Sequence, residues 1–331
     1  MLVSASAIAE TGVAKYAGEF ISLGVGGRAL GMGGAFVALA NDVTAGYWNP
    51  AGLSQINYPQ FTLMHDEQFG SLVNYDYGAV AIPFGASTSL GFSVIRLGVD
   101  DIPNTQNAAV DINNNPTNDP QWNRIDPNRV TYFNAADWAF YFTYSKKQSD
   151  DFSYGANVKI IRRELGDASA TGIGLDIGVW YTPFENVQLG ANLQDVTTTF
   201  LAWSTGRNEL ISPTMKVGSA YFIEAFGGRF APAIDFDIRF ENRKYASMAH
   251  IGPVSLDLHS GLEYQFKNLI ALRLGYSDVK QLTMGAGVRL PKLNIDYSFA
   301  KFDATNQLGN THRISLMFTL EAEQFKRVGE L

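Results

Sequence analysis

The side chains that could carry chemistry are few and lie far apart in the chain. The 331-residue sequence has no cysteine and four histidines, which are His65, His250, His259 and His312. Without cysteine, thiol catalysis, disulfides and thiolate metal sites are excluded. The histidines do not fall into a metal-ligand spacing such as H-E-x-x-H, and no serine nucleophile with a recognisable base stands out. We therefore predict that the protein is not an enzyme and carries no cofactor or resident metal.

A glycine-rich run between residues 24 and 34 has the composition of a phosphate-binding loop. It lacks the Gly-Lys-Ser/Thr ending that holds phosphate in such loops, so nucleotide binding is not expected. Glycine at this density is typical of backbone pressed against other backbone. We therefore expect the region to pack as a compact plug, whose motif residues are Gly33, Gly34, Asn49, Pro50, Ala51 and Gly52.

Acidic and amide side chains recur between residues 100 and 128. Asp111, Asn113, Asn115 and Asp119 are spaced like the oxygen ligands of a calcium loop. The glycine and the glutamate that complete such a loop are missing. Turn-forming Asx residues in an external loop are the simpler interpretation, and calcium binding stays open as the alternative.

The elements that must position the remaining polar side chains are strands. From Gln60 to Leu320 the chain repeats alternating segments of about 8 to 12 residues, each followed by a break. About fourteen such segments occur, an even number as in single-chain bacterial barrels. Polar residues of the alternating pattern are expected to line the lumen. They include Asp235, Asp237, Arg239, Asp257, His259, Glu263, Arg273 and Arg289.

Composition supports a barrel in a membrane. Charged residues make up 17% of the chain, whereas soluble domains have about 25%, and no stretch approaches the roughly 18 apolar residues of a membrane helix. The sequence therefore predicts an all-β transmembrane antiparallel β-barrel of about fourteen strands, surrounded by outer-membrane lipid of a Gram-negative bacterium. The net charge is -7 and the basic residues are scattered, which argues against a nucleic-acid partner.

Connections between the segments alternate in length, with short ones such as residues 84–87 and longer ones such as residues 164–171 and 194–212. Short turns lie on the periplasmic side of such barrels, so the pattern places both chain ends there. Residues 1–9 end in Ala7-Ile8-Ala9, which indicates the end of a signal peptide; a disordered start is the alternative. We expect a luminal plug over residues 10–59, the barrel over 60–320 and a periplasmic tail over 321–331.

The third segment changes phase. Leu90, Phe92 and Val94 share one face, whereas Ile95, Leu97 and Val99 share the other. A one-residue slip turns every later side chain to the opposite face. We therefore predict a bulge at Val94 and Ile95, because otherwise Arg96 would face lipid. The bulge would serve function or a local adjustment of barrel shear, and both interpretations remain open.

Three runs near the start of the chain carry a family resemblance. They are AKYAGEF over residues 14–20, GRALGMGGAFVALAND over 27–42 and YWNPAGL over 47–53. The chain resembles the PorV/PorQ family, within the wider FadL-like group of outer-membrane proteins. The resemblance implies a fourteen-stranded barrel plugged by its N-terminal segment, with Asn49-Pro50-Ala51 in the plug.

The same resemblance implies two functions. In the PorV type the barrel binds cargo protein during type IX secretion, and we expect this role, with a secretion translocon or secreted protein as partner. In FadL-like transporters a hydrophobic ligand enters from outside and leaves through a gap beside a kinked third strand. This conduit is the alternative, with a hydrophobic small molecule in the lumen as ligand.

Overall fold

The computed structural model describes residues 11–13, 18–68, 72–111, 113–117, 124–240, 247–277, 281–301 and 310–327. Fourteen long strands form a closed antiparallel barrel, in which each strand pairs with its neighbour in sequence and the last pairs with the first. The predicted barrel and its strand number are confirmed. The strands are β1 (Gln60–Gln68), β2 (Val73–Phe84), β3 (Thr88–Asn104), β4 (Thr131–Lys147), β5 (Phe152–Leu165), β6 (Ala168–Phe184), β7 (Val187–Gln194), β8 (Thr214–Tyr221), β9 (Gly228–Arg239), β10 (Val254–Phe266), β11 (Ile270–Tyr276), β12 (Leu282–Leu290), β13 (Leu293–Lys301) and β14 (Thr311–Thr319).

Shorter elements accompany the barrel. Three helices, α1 (Glu19–Ser22), α2 (Gly27–Gly31) and α3 (Ala45–Trp48), precede β1 together with a 3-10 turn at Pro50–Gln55. In the described part of the chain, no helix has the length and hydropathy needed to cross a membrane. Short strands lie at Thr11–Val13, Ala109–Val110, Arg124–Ile125, Thr199–Trp203, Asn208–Ile211, Ile223–Ala225 and Ala249–Ile251, and further 3-10 turns lie at Pro127–Arg129 and Glu323–Phe325.

The barrel sorts side chains by the two-residue period of its strands. In β9, Ile234 and Phe236 face outward and expose 47% and 37% of their surface, whereas Asp235 and Asp237 between them face inward and expose 1% each. Large apolar side chains are exposed in the same way on the outer face of the other barrel strands. The polar half of the alternating sequence therefore lines the interior.

The two ends of the barrel differ in their connections. At one end, here called the short-turn rim, tight turns join β2 to β3, β6 to β7, β10 to β11 and β12 to β13. Lys267 and Asn268 in one of them both have positive φ, as tight hairpin turns require. The opposite end, the long-loop rim, carries the connections from β3 to β4, β7 to β8 and β9 to β10.

One expectation about the connections was wrong. The break predicted at residues 164–171 is a two-residue turn, because β5 runs to Leu165 and β6 begins at Ala168. Thr11–Val13 pairs in parallel with Asn208–Ile211 at the long-loop rim, whereas β14 ends at the short-turn rim. The described start and end of the chain thus lie at opposite rims. Residues 1–10 and 328–331 lie outside the described part, so the periplasmic position of both chain ends stays a prediction.

The predicted bulge at Val94 and Ile95 was also wrong. β3 pairs with β2 without a register shift from Thr88 to Gly98, so Ile95 faces inward and Arg96 faces outward. The shift lies farther along, between Val99 and Ile102, where Asp101 has a φ of +56°. The apolar run misled because the interior beside β3 is itself apolar, so that inward and outward residues look alike.

Residues 18–59, here called the luminal segment, occupy the inside of the barrel. Nearly all residues from Phe20 to Ile56 are buried. Their apolar side chains form one core with inward residues of the strands, among them Tyr77 and Ile95. The described residues that precede β1 thus pack against the inward face of the barrel.

Candidate functional site

The luminal segment follows the inner wall from β14 round to β3. Hydrogen bonds to inward side chains or backbone mark its course, and each falls on a different strand. Gly27 N donates to Ser315 Oγ (2.9 Å), Thr283 Oγ1 to Gly31 O (3.1 Å), Phe36 N to Asp235 Oδ2 (2.6 Å), Trp180 Nε1 to Ala38 O (2.8 Å) and Ser145 Oγ to Ala51 O (2.8 Å). The luminal segment is therefore held by strands that are spread around most of the barrel's circumference.

Inward glycines make room for this course. A Cβ atom on any of five of them would lie between 2.2 and 2.6 Å from atoms of the luminal segment, closer than real Cβ contacts occur. The luminal atoms nearest to these glycines belong mainly to its backbone. We call this set the glycine wall: Gly155, Gly178, Gly190, Gly261 and Gly275.

The predicted plug motif falls into two places. Asn49 is fully buried, and its Nδ2 donates to Val37 O (3.0 Å) and to Val179 O (2.9 Å) on β6. Its Oδ1 accepts from Ala51 N at 3.2 Å, which caps the 3-10 turn. A Cβ on Gly52 would lie 1.7 Å from Ala40 O. Asn49, Pro50, Ala51 and Gly52 are thus one packed unit.

Gly33 and Gly34 lie elsewhere, against β10 and β11. Their φ angles are +67° and +83°, a conformation that suits glycine. A Cβ on Gly33 would lie 2.6 Å from Tyr276 N, and His259 Nδ1 lies 2.8 Å from Gly33 O. The motif therefore marks two contacts of the luminal segment rather than one site.

Buried charged side chains form a series of ion pairs on the β10 to β13 side. Glu263 holds Arg28 of the luminal segment through two bonds of 3.0 Å, to Nε and to Nη2. The same carboxylate accepts from Arg273 Nε at 2.6 Å, and Arg273 Nη1 donates to Asp296 Oδ1 at 2.6 Å. Opposite charges alternate along this series, so each buried ion has a partner that offsets its desolvation free energy.

A second group of charges lies on β8, β9 and β10. Asp237 pairs with Lys216 and with Arg239 Nη2 (3.2 Å), and Arg239 Nη1 pairs with Asp257 Oδ2 (3.2 Å). Asp235 on the same strand accepts from Phe36 N and Val37 N at 2.6 and 2.7 Å. This group also contacts the luminal segment.

All the predicted luminal polar residues lie on inward strand positions. Asp235, Asp237, Arg239, Asp257, His259, Glu263 and Arg273 are buried. Arg289 lies apart from them beside a polar cavity of about 530 Å³ at the short-turn rim, where its Nη1 donates to Asn268 Oδ1 (2.5 Å). Arg28 was missed because it lies in a segment without alternation; the spacing offers no signal for it.

The opposite side of the interior carries aromatic and aliphatic side chains, with the buried ion pair of Lys159 and Asp176 (3.2 Å) beside them. Five residues of β2 to β5 expose 2% or less of their surface: Tyr75, Tyr77, Ile95, Tyr141 and Ile161. Tyr47 of the luminal segment packs edge-on against Tyr141, with ring centroids 6.2 Å apart, and donates from its hydroxyl to Ile21 O at 2.6 Å. Phe20 and Ile21 of α1 complete this core. We call it the apolar half of the lumen.

A small cavity lies beside α1 at the long-loop rim. Between α1 and the wall lies a cavity of about 50 Å³, lined by Glu19, Ile21, Lys216 and Arg239 among others. Among the described residues, α1 thus lies at the entrance to the lumen on that side.

The loop considered for calcium forms an Asx turn. Asp111 Oδ1 accepts from Asn113 N and from Asn115 N, both at 2.8 Å. These bonds, first the one from the Asn115 N–H, lower the pKa of Asp111 below its usual value. Asp119 lies outside the described residues. Among those described, His, Asp and Glu side chains do not gather into a group that could hold a metal.

Arg327 ties the end of the chain to the luminal segment. Its Nη2 donates to Ile56 O (2.8 Å), Ser54 O (3.1 Å) and Ser89 Oγ (2.6 Å), and its Nη1 donates to Thr88 O (2.8 Å). One guanidinium thus joins the last turn of the luminal segment to the beginning of β3.

Arg327→Gln should loosen that turn. A glutamine cannot reach the same acceptors, and one lost hydrogen bond is worth about 1 kcal/mol. We expect backbone amides of residues 54–57 to exchange with deuterium roughly tenfold faster. Lys326→Gln is the matched control, since Lys326 is exposed and its Nζ lies 3.8 Å from Glu323 Oε1. Equal exchange in the two variants would show that Arg327 does not hold the turn.

Comparison with known proteins supports the fold. No protein-family description and no curated protein sequence matches the chain. Among solved structures it is similar to the toluene transporter TbuX of Ralstonia pickettii (13% identity, TM-score 0.60, covering 89% of this chain and 98% of that one). It is also similar to the monoaromatic hydrocarbon channel CymD (13%, 0.60, 91% and 98%) and to a Pseudomonas aeruginosa FadL homologue (13%, 0.56, 88% and 97%). At these identities the similarity establishes the FadL-like fold.

Proposed function

We propose that the protein is a non-enzymatic barrel that carries small hydrophobic compounds across the outer membrane of a Gram-negative bacterium. The observation that carries the proposal is the apolar half of the lumen, which offers a hydrocarbon a surface inside the barrel. The neighbours support it, since TbuX is described as a toluene transporter and CymD as a monoaromatic hydrocarbon channel. They favour this function over the PorV-type role that the sequence resemblance put first.

The outer face supports a place in the membrane. Side chains such as Phe61, Phe92, Phe142 and Leu272 expose between 37% and 56% of their surface on the barrel exterior. A belt of such residues is stable in hydrocarbon and costly in water. The long-loop rim would then face outward and the short-turn rim the periplasm.

The luminal segment acts as the plug in this proposal. A compound that arrives at the long-loop rim meets α1, because the cavity there holds only about 50 Å³. Displacing α1 would open the apolar half, where the compound replaces Phe20 and Ile21 against Tyr47 and Tyr141. The exchange of one apolar surface for another keeps the free energy of opening small.

The chain allows a direct test of this movement. Because it has no cysteine, a disulfide between the residue that precedes α1 and the short strand Asn208–Ile211 would be unambiguous. A Cβ on Gly18 would lie 3.1 Å from Ile211 Cγ2, which places the two side chains within reach of a disulfide. We expect oxidised Gly18→Cys/Ile211→Cys to lose uptake of toluene by proteoliposomes and to regain it on reduction.

Gly18→Cys alone is the control and should transport under both conditions. Uptake that is unchanged in the oxidised double variant would contradict a moving α1. Failure of the unmodified protein to transport toluene would contradict the proposed function itself.

Protein binding at the long-loop rim is the second candidate. It is favoured by the ordered platform there, in which Thr11–Val13 adds a strand to the hairpin formed by Thr199–Trp203 and Asn208–Ile211. Such a surface suits a cargo-binding role of the PorV type. Co-purification of a secreted protein or a translocon from native membranes, without toluene uptake, would favour this candidate.

A further inference from the structure

Several titratable side chains lie on the outer face of the barrel, among apolar side chains. His65 and Glu67 of β1, Asp76 of β2, Arg96 of β3 and His312 of β14 all occupy outward positions. We call them the outer polar cluster. Its centre is Asp76, which lies 2.7 Å from His65 Nδ1 and 3.5 Å from Arg96 Nη1.

The cluster marks the edge of the apolar belt that is nearer the long-loop rim. From Asp76 toward the short-turn rim, the outward residues of β2 are Gly78, Val80 and Ile82. From Arg96 in the same direction, those of β3 are Val94 and Phe92. Charged side chains on a lipid face cost about 2 to 4 kcal/mol at the midplane and about 0 to 1 near the interface. The position is therefore one where a polar group can meet both headgroups and hydrocarbon.

An apolar groove opens directly below the cluster. Its volume is about 940 Å³, and Leu63, Gly78, Val94, Ile314 and Leu316 line it beneath the polar residues. Gly78 forms its floor, since the outward neighbours Leu63 and Val94 stand on either side of a position without a side chain. The volume is within the range of about 300 to 1,000 Å³ typical of small-molecule sites.

We propose that this groove binds one membrane phospholipid with a zwitterionic headgroup of phosphate and ammonium. An acyl chain lies along Gly78 between Leu63 and Val94. The phosphate accepts from Arg96, and the ammonium faces Glu67 and Asp76. The inference rests on the membrane placement proposed above and is independent of transport.

Charge complementarity selects this occupant. The cluster contains both signs on side chains that remain accessible, with 56% of Glu67, 43% of Asp76 and 30% of Arg96 exposed. A headgroup with only negative charge would face two carboxylates, and one with only positive charge would face the guanidinium. A headgroup with both charges meets each with its opposite, and the charge-assisted bond from Arg96 is the stronger type.

The test measures lipid retained by the purified full-length protein. The protein is placed in nanodiscs with equal amounts of phosphatidylethanolamine and phosphatidylglycerol, and bound lipid is identified by native mass spectrometry. We expect retention of phosphatidylethanolamine over phosphatidylglycerol. Arg96→Gln removes the phosphate donor. Gly78→Leu fills the floor, because its Cβ would meet the Leu63 and Val94 side chains at 3.5 and 3.6 Å and the Thr62 carbonyl oxygen at 4.0 Å, all of them ordinary contact distances. Each should lower retention about tenfold.

Two matched variants act as controls. Arg162→Gln removes an outward arginine of β5 outside the groove, and Ala286→Leu adds hydrocarbon to the outer face of β12. Both should retain lipid as the unmodified protein does. Equal retention of the two phospholipids, a preference for phosphatidylglycerol, or full retention by both groove variants would overturn the proposal. Toluene uptake does not enter this measurement, so the two proposals fail separately.

Discussion

Glu263→Gln should lower the free energy of unfolding by about 3 kcal/mol, because it leaves two buried guanidiniums facing each other across a neutral amide. Glu263 bonds both Arg28 and Arg273, and each of these side chains is 12% exposed or less. Asp42 and Asp296 still balance part of the charge, so we place the cost at the lower end of the usual range for broken buried pairs.

Unfolding by urea in detergent micelles, followed by tryptophan fluorescence, would measure this difference. Glu164→Gln is the control, since the pair of Arg162 and Glu164 is largely exposed and such pairs contribute about 0 to 1 kcal/mol. The double variant Arg28→Gln/Glu263→Gln should lose less stability than the sum of the single changes, because it removes the pair together. Equal unfolding midpoints for Glu263→Gln and Glu164→Gln would refute the stabilising role of the buried ion pairs around Glu263.

Gly275→Val should open the lumen while leaving the barrel intact. A Cβ at this position would lie 2.2 Å from Gly33 N and from the Met32 carbonyl carbon, so the luminal segment must move away from β11. Overpacking of this kind costs about 1 to 3 kcal/mol. The outward side chains and the strand pairing of β11 are unaffected, so the ring should still close.

Ion conductance across a planar lipid bilayer is the measurement, and the variant should conduct where the unmodified protein is closed. Gly78→Ala is the control, because a Cβ there would meet Leu63 and Val94 at ordinary distances of 3.5 and 3.6 Å. If Gly275→Val conducted no more than this control, the glycine wall would not position the luminal segment.

The strands were predictable where the two faces of the wall differ in polarity. β9 alternates Ile234 and Phe236 with Asp235 and Asp237, and the face that each of these residues occupies follows from that contrast alone. At β3 the contrast fails, because Ile95 faces an apolar interior and Arg96 faces outward beside Asp76. A polarity pattern distinguishes the two faces of a strand only where those faces differ in polarity. At β3 it therefore predicts a change of register that the structure does not contain.

The parts of the site that depend on register between distant strands were not predictable. The groove exists because Gly78 falls beside Leu63 on β1 and Val94 on β3, a pairing that no single segment encodes. Arg28 meets Glu263 across 235 positions. The family resemblance led to the correct barrel and placed PorV-type binding before transport, an order that the comparisons do not support.

The position of the luminal segment inside a closed ring constrains the order of assembly. Gly27 is bonded to Ser315 on β14, 288 positions later, and β14 is also the strand that seals the ring against β1. The contact of Gly27 with β14 can therefore form only when the last strand is in place. Sealing of the ring and the final placement of this part of the luminal segment thus belong to the same late step of folding, because both join positions that are far apart in the sequence.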